Sequence, residues 1–170
     1  MSLDRRTFPT DAAHAPLLRL LLAQDGSTTR VCEALTGAVV QVVLHGQAGT
    51  SDVPTEVRDQ LGGDAWLERV TSLCCDGAVM MDNLSYTRLD AVPGWFLAAL
   101  EGGTAPIGHL LEQLLVKRES VAASSELRER LWKVVGAADD RASRAYRIVT
   151  PDGPLMLIFE SFRAAMVRDA

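Results

Sequence analysis

Arg147–Phe162 reads RIVTPDGPLMLIFESF, two runs rich in β-branched and aromatic residues joined by Pro-Asp-Gly. Pro presets φ at the first turn position and Gly accepts a positive φ, so the stretch predicts a β-hairpin. Period-two alternation in its second arm puts Met156, Ile158, Glu160 and Phe162 on one face, and Leu155, Leu157, Phe159 and Ser161 on the other. Both faces are apolar except around Glu160. An ionised carboxylate among such side chains is costly unless it is paired, protonated or turned toward a polar ligand. The plainer alternative is an edge strand that gives Glu160 to water.

Working outward, a second hairpin is stronger still. Trp66–Cys75 (WLERVTSLCC), Asp76-Gly77 and Ala78–Tyr86 form two strand-like arms around an Asp-Gly pair, which favours the primed turns that match strand twist. On its first arm Leu67, Arg69, Thr71, Leu73 and Cys75 share a face, so Arg69 is a lone cation among mainly apolar neighbours. It is a candidate partner for Glu160 or for a ligand carboxylate, which a guanidinium grips in bidentate fashion. The competing reading is an arginine that snorkels from a strand end.

The remaining chain supplies helices and further strands. Leu17–Leu22 reads as a short apolar helix ended by Asp25-Gly26, and Ser27, Thr28 or Thr29 caps a second helix running to Leu35. That corner presents free N–H groups suited to an anion, although such corners more often only reverse the chain. Ala38–Gly46 (AVVQVVLHG) reads as a buried strand. Gln47–Gly63 reads as a loop, with a short helix at Thr55–Leu61, of a kind that serves as a lid. Asp90–Leu100 and the Pro-initiated TAPIGHLLEQLL read as helices, VKRESVA as a strand, and Glu126–Val135 as a helix capped by Ser124 or Ser125 and closed by Gly136. Ala137–Ser143 reads as a polar loop. Hairpins with interspersed helices and no alternating βαβ pattern indicate an α+β fold. Residues 1–13 are polar and aperiodic and are expected to be a flexible arm, leaving 14–170 as one domain.

Composition bounds the function. A chain of 170 residues, 48% hydrophobic and 23% charged, buries enough surface to fold without disulfide or metal. Its net charge of −5 argues against nucleic acid as a partner. Three cysteines, Cys32, Cys74 and Cys75, have no metal-ligand spacing and read as reduced residues of a cytoplasmic protein. The N-terminus lacks a signal-peptide core, and no run is long enough to span a membrane. Phosphate-binding glycine loops, G-x-S-x-G, HExxH and CxxC are all missing, and His14, His45 and His109 share no motif. What is left is Arg69, Glu160 and the backbone near Ser27 and Ile107, a set suited to a small anionic organic ligand and to a reaction served by positioning and one carboxylate.

Four stretches in order carry a family resemblance: LLLAQDGSTTR at Leu20–Arg30, WLERVTSLCCDG at Trp66–Gly77, TAPIGHLL at Thr104–Leu111 and DGPLMLIFESF at Asp152–Phe162. Together they resemble the chorismate pyruvate-lyase, or 4-hydroxybenzoate synthase, family. The resemblance implies one α+β domain with an antiparallel sheet of about six strands, helices on one side, and helical flaps over an enclosed ligand. It implies the elimination of pyruvate from chorismate without metal or organic cofactor, in a monomer or small homo-oligomer. The family's arginine falls on Arg69, its final-strand glutamate on Glu160, and its main-chain contacts on Ser27 and Ile107. A second arginine of the better-known bacterial enzymes falls near Leu84 and is missing. Arg88, four positions on and on the same side of an ideal strand, is the candidate replacement. That departure motivates a rival, a family member recruited to a cyclisation, isomerisation or dehydration in secondary metabolism. A second rival is a non-catalytic ligand sensor, since effector domains of some transcription regulators resemble this fold; against it, the sequence has no helix-turn-helix segment.

Overall fold

The computed structural model describes residues 15–136 and 141–167. The arm expected at 1–13 and most of the loop expected at Ala137–Ser143 lie outside them. Six strands form one antiparallel sheet: β1 (Gln41–Thr50), β2 (Trp66–Cys75), β3 (Ala78–Arg88), β4 (Lys117–Val121), β5 (Ala142–Thr150) and β6 (Gly153–Phe162), in the order β1-β2-β3-β6-β5-β4. Both predicted hairpins are present. In the turn between β2 and β3, Asp76 has φ 49° and Gly77 φ 77°, the two left-handed residues that a primed turn demands.

Six α-helices accompany the sheet: α1 (Ala15–Ala23), α2 (Thr28–Thr36), α3 (Thr55–Leu61), α4 (Gly94–Glu101), α5 (Ile107–Leu111) and α6 (Ser125–Val135). The expected sheet of about six strands holds, but helices cover both of its faces. On one face Val70, Leu84, Leu157 and Phe159 pack with Val57 and Leu61 of α3 and Leu127 and Leu131 of α6. On the other, Leu67, Ile148, Met156 and Ile158 pack with Phe96 and Leu100 of α4 and Ile107, Leu110 and Leu111 of α5. Beside them Leu73, Met81 and Phe162 meet Leu18 and Leu21 of α1 and Cys32 of α2.

Three local expectations change. The strand expected at Ala38–Gly46 begins at Gln41 and continues to Thr50. As an edge strand it is mostly exposed, with Val43 43% and Leu44 40% accessible. β-branched runs suit edge and centre alike, so the valines marked a strand without marking its depth. The predicted lid is not one: α3 buries Val57 and Leu61 in the face away from the site described below. β5 starts at Ala142, five residues before the hairpin arm expected from Arg147. Among the described residues, no helix is long and apolar enough to cross a membrane.

Candidate functional site

Register decides which side chains meet. Across the sheet Thr71 pairs with Asn83, Asn83 with Glu160, and Glu160 with Arg144. One row along, Gln47 pairs with Arg69, Arg69 with Ser85, Ser85 with Ile158, and Ile158 with Tyr146. Directly opposed residues share a face, so both rows project toward α1, α2 and α5. There they floor a cavity whose walls include Ser27, Thr28, Arg69, Asn83, Ile107 and Glu160. Four of the five residues singled out from sequence therefore converge. The cavity is about 30 Å3, room for about two water molecules. A six-membered ring enters only if the helices above it part.

Glu160 is 2% exposed and is not paired with Arg69. Its partner is Arg144, whose Nε lies 2.7 Å from Oε2. Tyr146 donates its hydroxyl to Oε1 at 2.8 Å, and the Thr28 hydroxyl lies 3.0 Å from both carboxylate oxygens. Three donors meet a group with about four acceptor positions, leaving roughly one for a ligand. Burial and the neighbouring carboxylate push the Tyr146 phenol well above its ordinary pKa, so it remains a neutral donor. Arg144 also donates Nη1 to the carbonyls of Leu21 and Gln24, and Nη2 to Thr28 Oγ1 at 2.9 Å. This one arginine thus ties the last strand to the end of α1 and the start of α2.

Arg69 contrasts with it. It is 2% exposed, yet it makes only neutral bonds, from Nη2 to the carbonyls of Gly103 and Ala105 at 3.2 Å each. Its Nε is buried without a partner, and burial pulls the guanidinium down to about 10. Asn83 Oδ1, Ser85 Oγ and Gln47 Oε1 on the same face are also buried and unpaired. Each such atom costs about 1–3 kcal/mol unless water, an ion or a ligand meets it.

The helical corner is built as predicted. Ser27 caps α2, its hydroxyl accepting from the Arg30 N–H at 3.4 Å, and Ile107 opens α5 behind Pro106. First-turn N–H groups of a helix have no intrahelical acceptor. The two helices touch through Gly108, where a Cβ would fall 2.5 Å from Ser27 Oγ and 2.8 Å from Thr29 Oγ1. Only glycine fits that approach. Outside the cavity Arg30 grips Glu112 with bonds of 2.5 and 2.7 Å, holding α2 to the end of α5.

Arg88 is not part of the site. It lies opposite Trp66 and so shares a side with Leu84, on the face away from Glu160. Its guanidinium is taken by Asp90 and by the carbonyls of Leu61 and Pro154. The inward positions flanking Leu84 are Asn83 and Ser85, and neither is cationic. Sequence reasoning missed Arg144 and Tyr146 because the first arm of the last hairpin was begun too late. Extending its alternation back from Ile148 brings both onto the Glu160 face. Among the described residues, no three His, Cys, Asp or Glu side chains gather as a metal site.

Residues 22–168 match the family model of the Rv2949c-like chorismate pyruvate-lyases. The chain belongs to this family. Compared directly with curated protein sequences, it matches none. Among solved structures, PhnF from Mycobacterium smegmatis is similar at 14% identity and TM-score 0.54, over 86% of this chain and 67% of that one. The effector domain of the same PhnF is similar at 15% identity and TM-score 0.53, over 82% and 90%. The C-terminal domain of the histidine utilization repressor from Pseudomonas syringae pv. tomato is similar at 10% identity and TM-score 0.52, over 77% and 96%. These likenesses concern the fold. The sheet is thus shared with the effector domain of PhnF and the C-terminal domain of a repressor.

Proposed function

We propose that this family member is a cofactor-independent lyase that takes chorismate to 4-hydroxybenzoate and pyruvate. The observation that carries the reading is Arg69, a buried guanidinium without a countercharge, facing the same cavity as the anchored carboxylate of Glu160. A ligand carboxylate at Arg69 would supply the missing charge, with N–H groups near Ser27 and Ile107 supporting it. Positioning of this kind contributes up to about 7–11 kcal/mol when the bound geometry is near attack.

In the reaction the ring carbon bearing the hydroxyl gives up its proton, the carbon–oxygen bond to the enolpyruvyl group breaks, and the ring becomes aromatic. The departing enolpyruvate takes up a proton to become pyruvate, so no outside reductant or oxidant is needed. Glu160, held by Arg144, Thr28 and Tyr146 with one acceptor position to spare, steers the substrate hydroxyl and the proton beside it. A group in that role is worth on the order of 10²–10⁴ in rate. The test is incubation of the purified protein with chorismate. Equimolar release of pyruvate and 4-hydroxybenzoate is expected, and intact chorismate after prolonged incubation overturns the reading.

A second reading, ligand sensing, is favoured by the regulator domains that share the fold. Tight binding of a carboxylated ring that is returned unchanged would select it. Recruitment to another small-molecule reaction predicts instead a product other than 4-hydroxybenzoate.

A further inference from the structure

Arg118 was assigned no role by sequence reasoning. It lies on β4, at the sheet edge opposite Ile148, and so projects onto the same face as Ile148, Met156 and the site. Its side chain lines the main cavity and also an adjoining one of about 90 Å3, bounded by Gln24, Asp25, Ser120, Arg144 and Tyr146. Its Nε is buried with no hydrogen-bond partner. Among the described residues, Asp25 bounds the adjoining cavity but makes no ion pair with Arg118, and the glutamates around Arg118 are committed elsewhere. Glu119, on the opposite face of the same strand, takes Lys117 at 3.0 Å and Arg147 at 2.8 Å. Glu112, whose field reaches Arg118, is held by Arg30. Glu160 is held by Arg144.

Three arginines therefore stand around two adjoining cavities that share Arg118 and Tyr146. Arg144 is spent on Glu160, whereas Arg69 on β2 and Arg118 on β4 have no countercharge. In the strand order these two lie on opposite flanks of the Glu160 column, four interstrand spacings or roughly 19 Å apart at the backbone. A ligand with one anionic group satisfies one of them; a ring with anionic groups at two ends satisfies both.

We propose that Arg118 is the second anion-binding residue of this site, so that the cavity selects rings carrying two carboxylates over rings carrying one. The proposal deepens the lyase reading and rests on it for the identity of the natural ligand, chorismate being such a dianion. It also explains how the site dispenses with an arginine near Leu84: the second cation comes from the edge strand β4 instead of the central strand β3.

The test uses isophthalate and benzoate as probes, titrated calorimetrically into the wild-type protein, Arg118→Gln and Arg118→Lys. Because a charge-assisted contact is worth about a factor of ten or more, wild type is expected to bind isophthalate at least about tenfold tighter than benzoate. Arg118→Gln should lose that preference while its benzoate affinity changes less than about twofold, and Arg118→Lys should recover part of it. Retained benzoate binding shows that the variants are folded. A preference that survives in Arg118→Gln, or no preference in wild type, overturns the assignment. Pyruvate release from chorismate, followed in parallel, separates the two claims. Isophthalate preference without turnover overturns the lyase reading and leaves Arg118 in place; turnover with an unchanged KM in Arg118→Gln does the reverse.

Discussion

The two faces of the sheet are built from the same six strands to opposite rules. On the α3/α6 side, Trp66, Val70, Leu84, Leu157 and Phe159 interlock with two helices, all 3% exposed or less. Most polar groups at its margin are answered: Tyr86 donates to Glu68 at 2.7 Å and Arg88 grips Asp90 at 2.7 Å, while Glu56 Oε1 on α3 is buried without a partner. On the α2/α5 side, Arg69, Asn83, Ser85 and Arg118 each hold a buried polar atom with no answer. One face spends its sequence mainly on packing, and the other gathers most of the unfinished polar contacts. The difference supports the proposed site on that face, because buried polar groups are costly unless a ligand, an ion or water meets them.

The sharpest way to break this contrast is at Glu160. Glu160→Gln keeps the side-chain shape and should lower chorismate turnover by about 10²–10⁴-fold, measured as pyruvate release after near-ultraviolet dichroism confirms the fold. Near-wild-type release would remove Glu160 from the chemistry. Arg144→Ala comes next. It leaves Glu160 buried without its countercharge and frees two carbonyls of the α1 end, so it should cost about 3–5 kcal/mol in chemical denaturation. A smaller loss would mean that water replaces Arg144 freely.

Leu131→Ala probes the packed face. It should cost about 2–5 kcal/mol and leave KM and kcat unchanged at temperatures where the variant is folded; an altered KM would show that the faces are coupled. Arg69→Met should behave in the opposite way. Losing an unpaired buried cation offsets the two carbonyls left without a donor, so stability should move by less than about 1 kcal/mol while turnover falls well over tenfold on the order of one lost charged contact. A large destabilisation would show Arg69 to be structural.

The smallest effect is in pH. The Arg69 guanidinium in the folded protein is pulled to about 10, below its unfolded value, so the cation that a ligand needs is lost as pH rises through that point. Benzoate affinity should fall about fourfold between pH 9 and 10.5. The unfolded chain binds the extra proton over the same range, so this residue's contribution to stability rises with pH there. Affinity that stays level to pH 10.5 would remove Arg69 from the anion site.

Much of the fold was legible in the sequence for local reasons. Asp76-Gly77, Ser27 and Gly136 are turn and cap signals whose physics acts within four residues, and the structure places each where it was read. Alternation along β6 gave the face of Glu160 correctly. The pairing of Glu160 went unread because Arg144, directly opposite it on the neighbouring strand, precedes the point at Arg147 from which the hairpin arm was expected. Arg88 fails on parity, since it shares a side with Leu84, which faces the packed layer. Arg118 was hidden because a charged residue in a short edge strand looks like ordinary solvation until the sheet order shows what lies beneath it.

The glycine at 108 has a consequence for traffic. A methyl group there would press on the hydroxyls of Ser27 and Thr29, so the roof over the cavity is closely fitted at that point. On the lyase reading a newly made aromatic product is sealed beneath that roof and departs only when α2 and α5 swing apart. The tempo of the protein would then be set by its hinge, and one added carbon at position 108, by propping the roof ajar, would exchange retention for throughput.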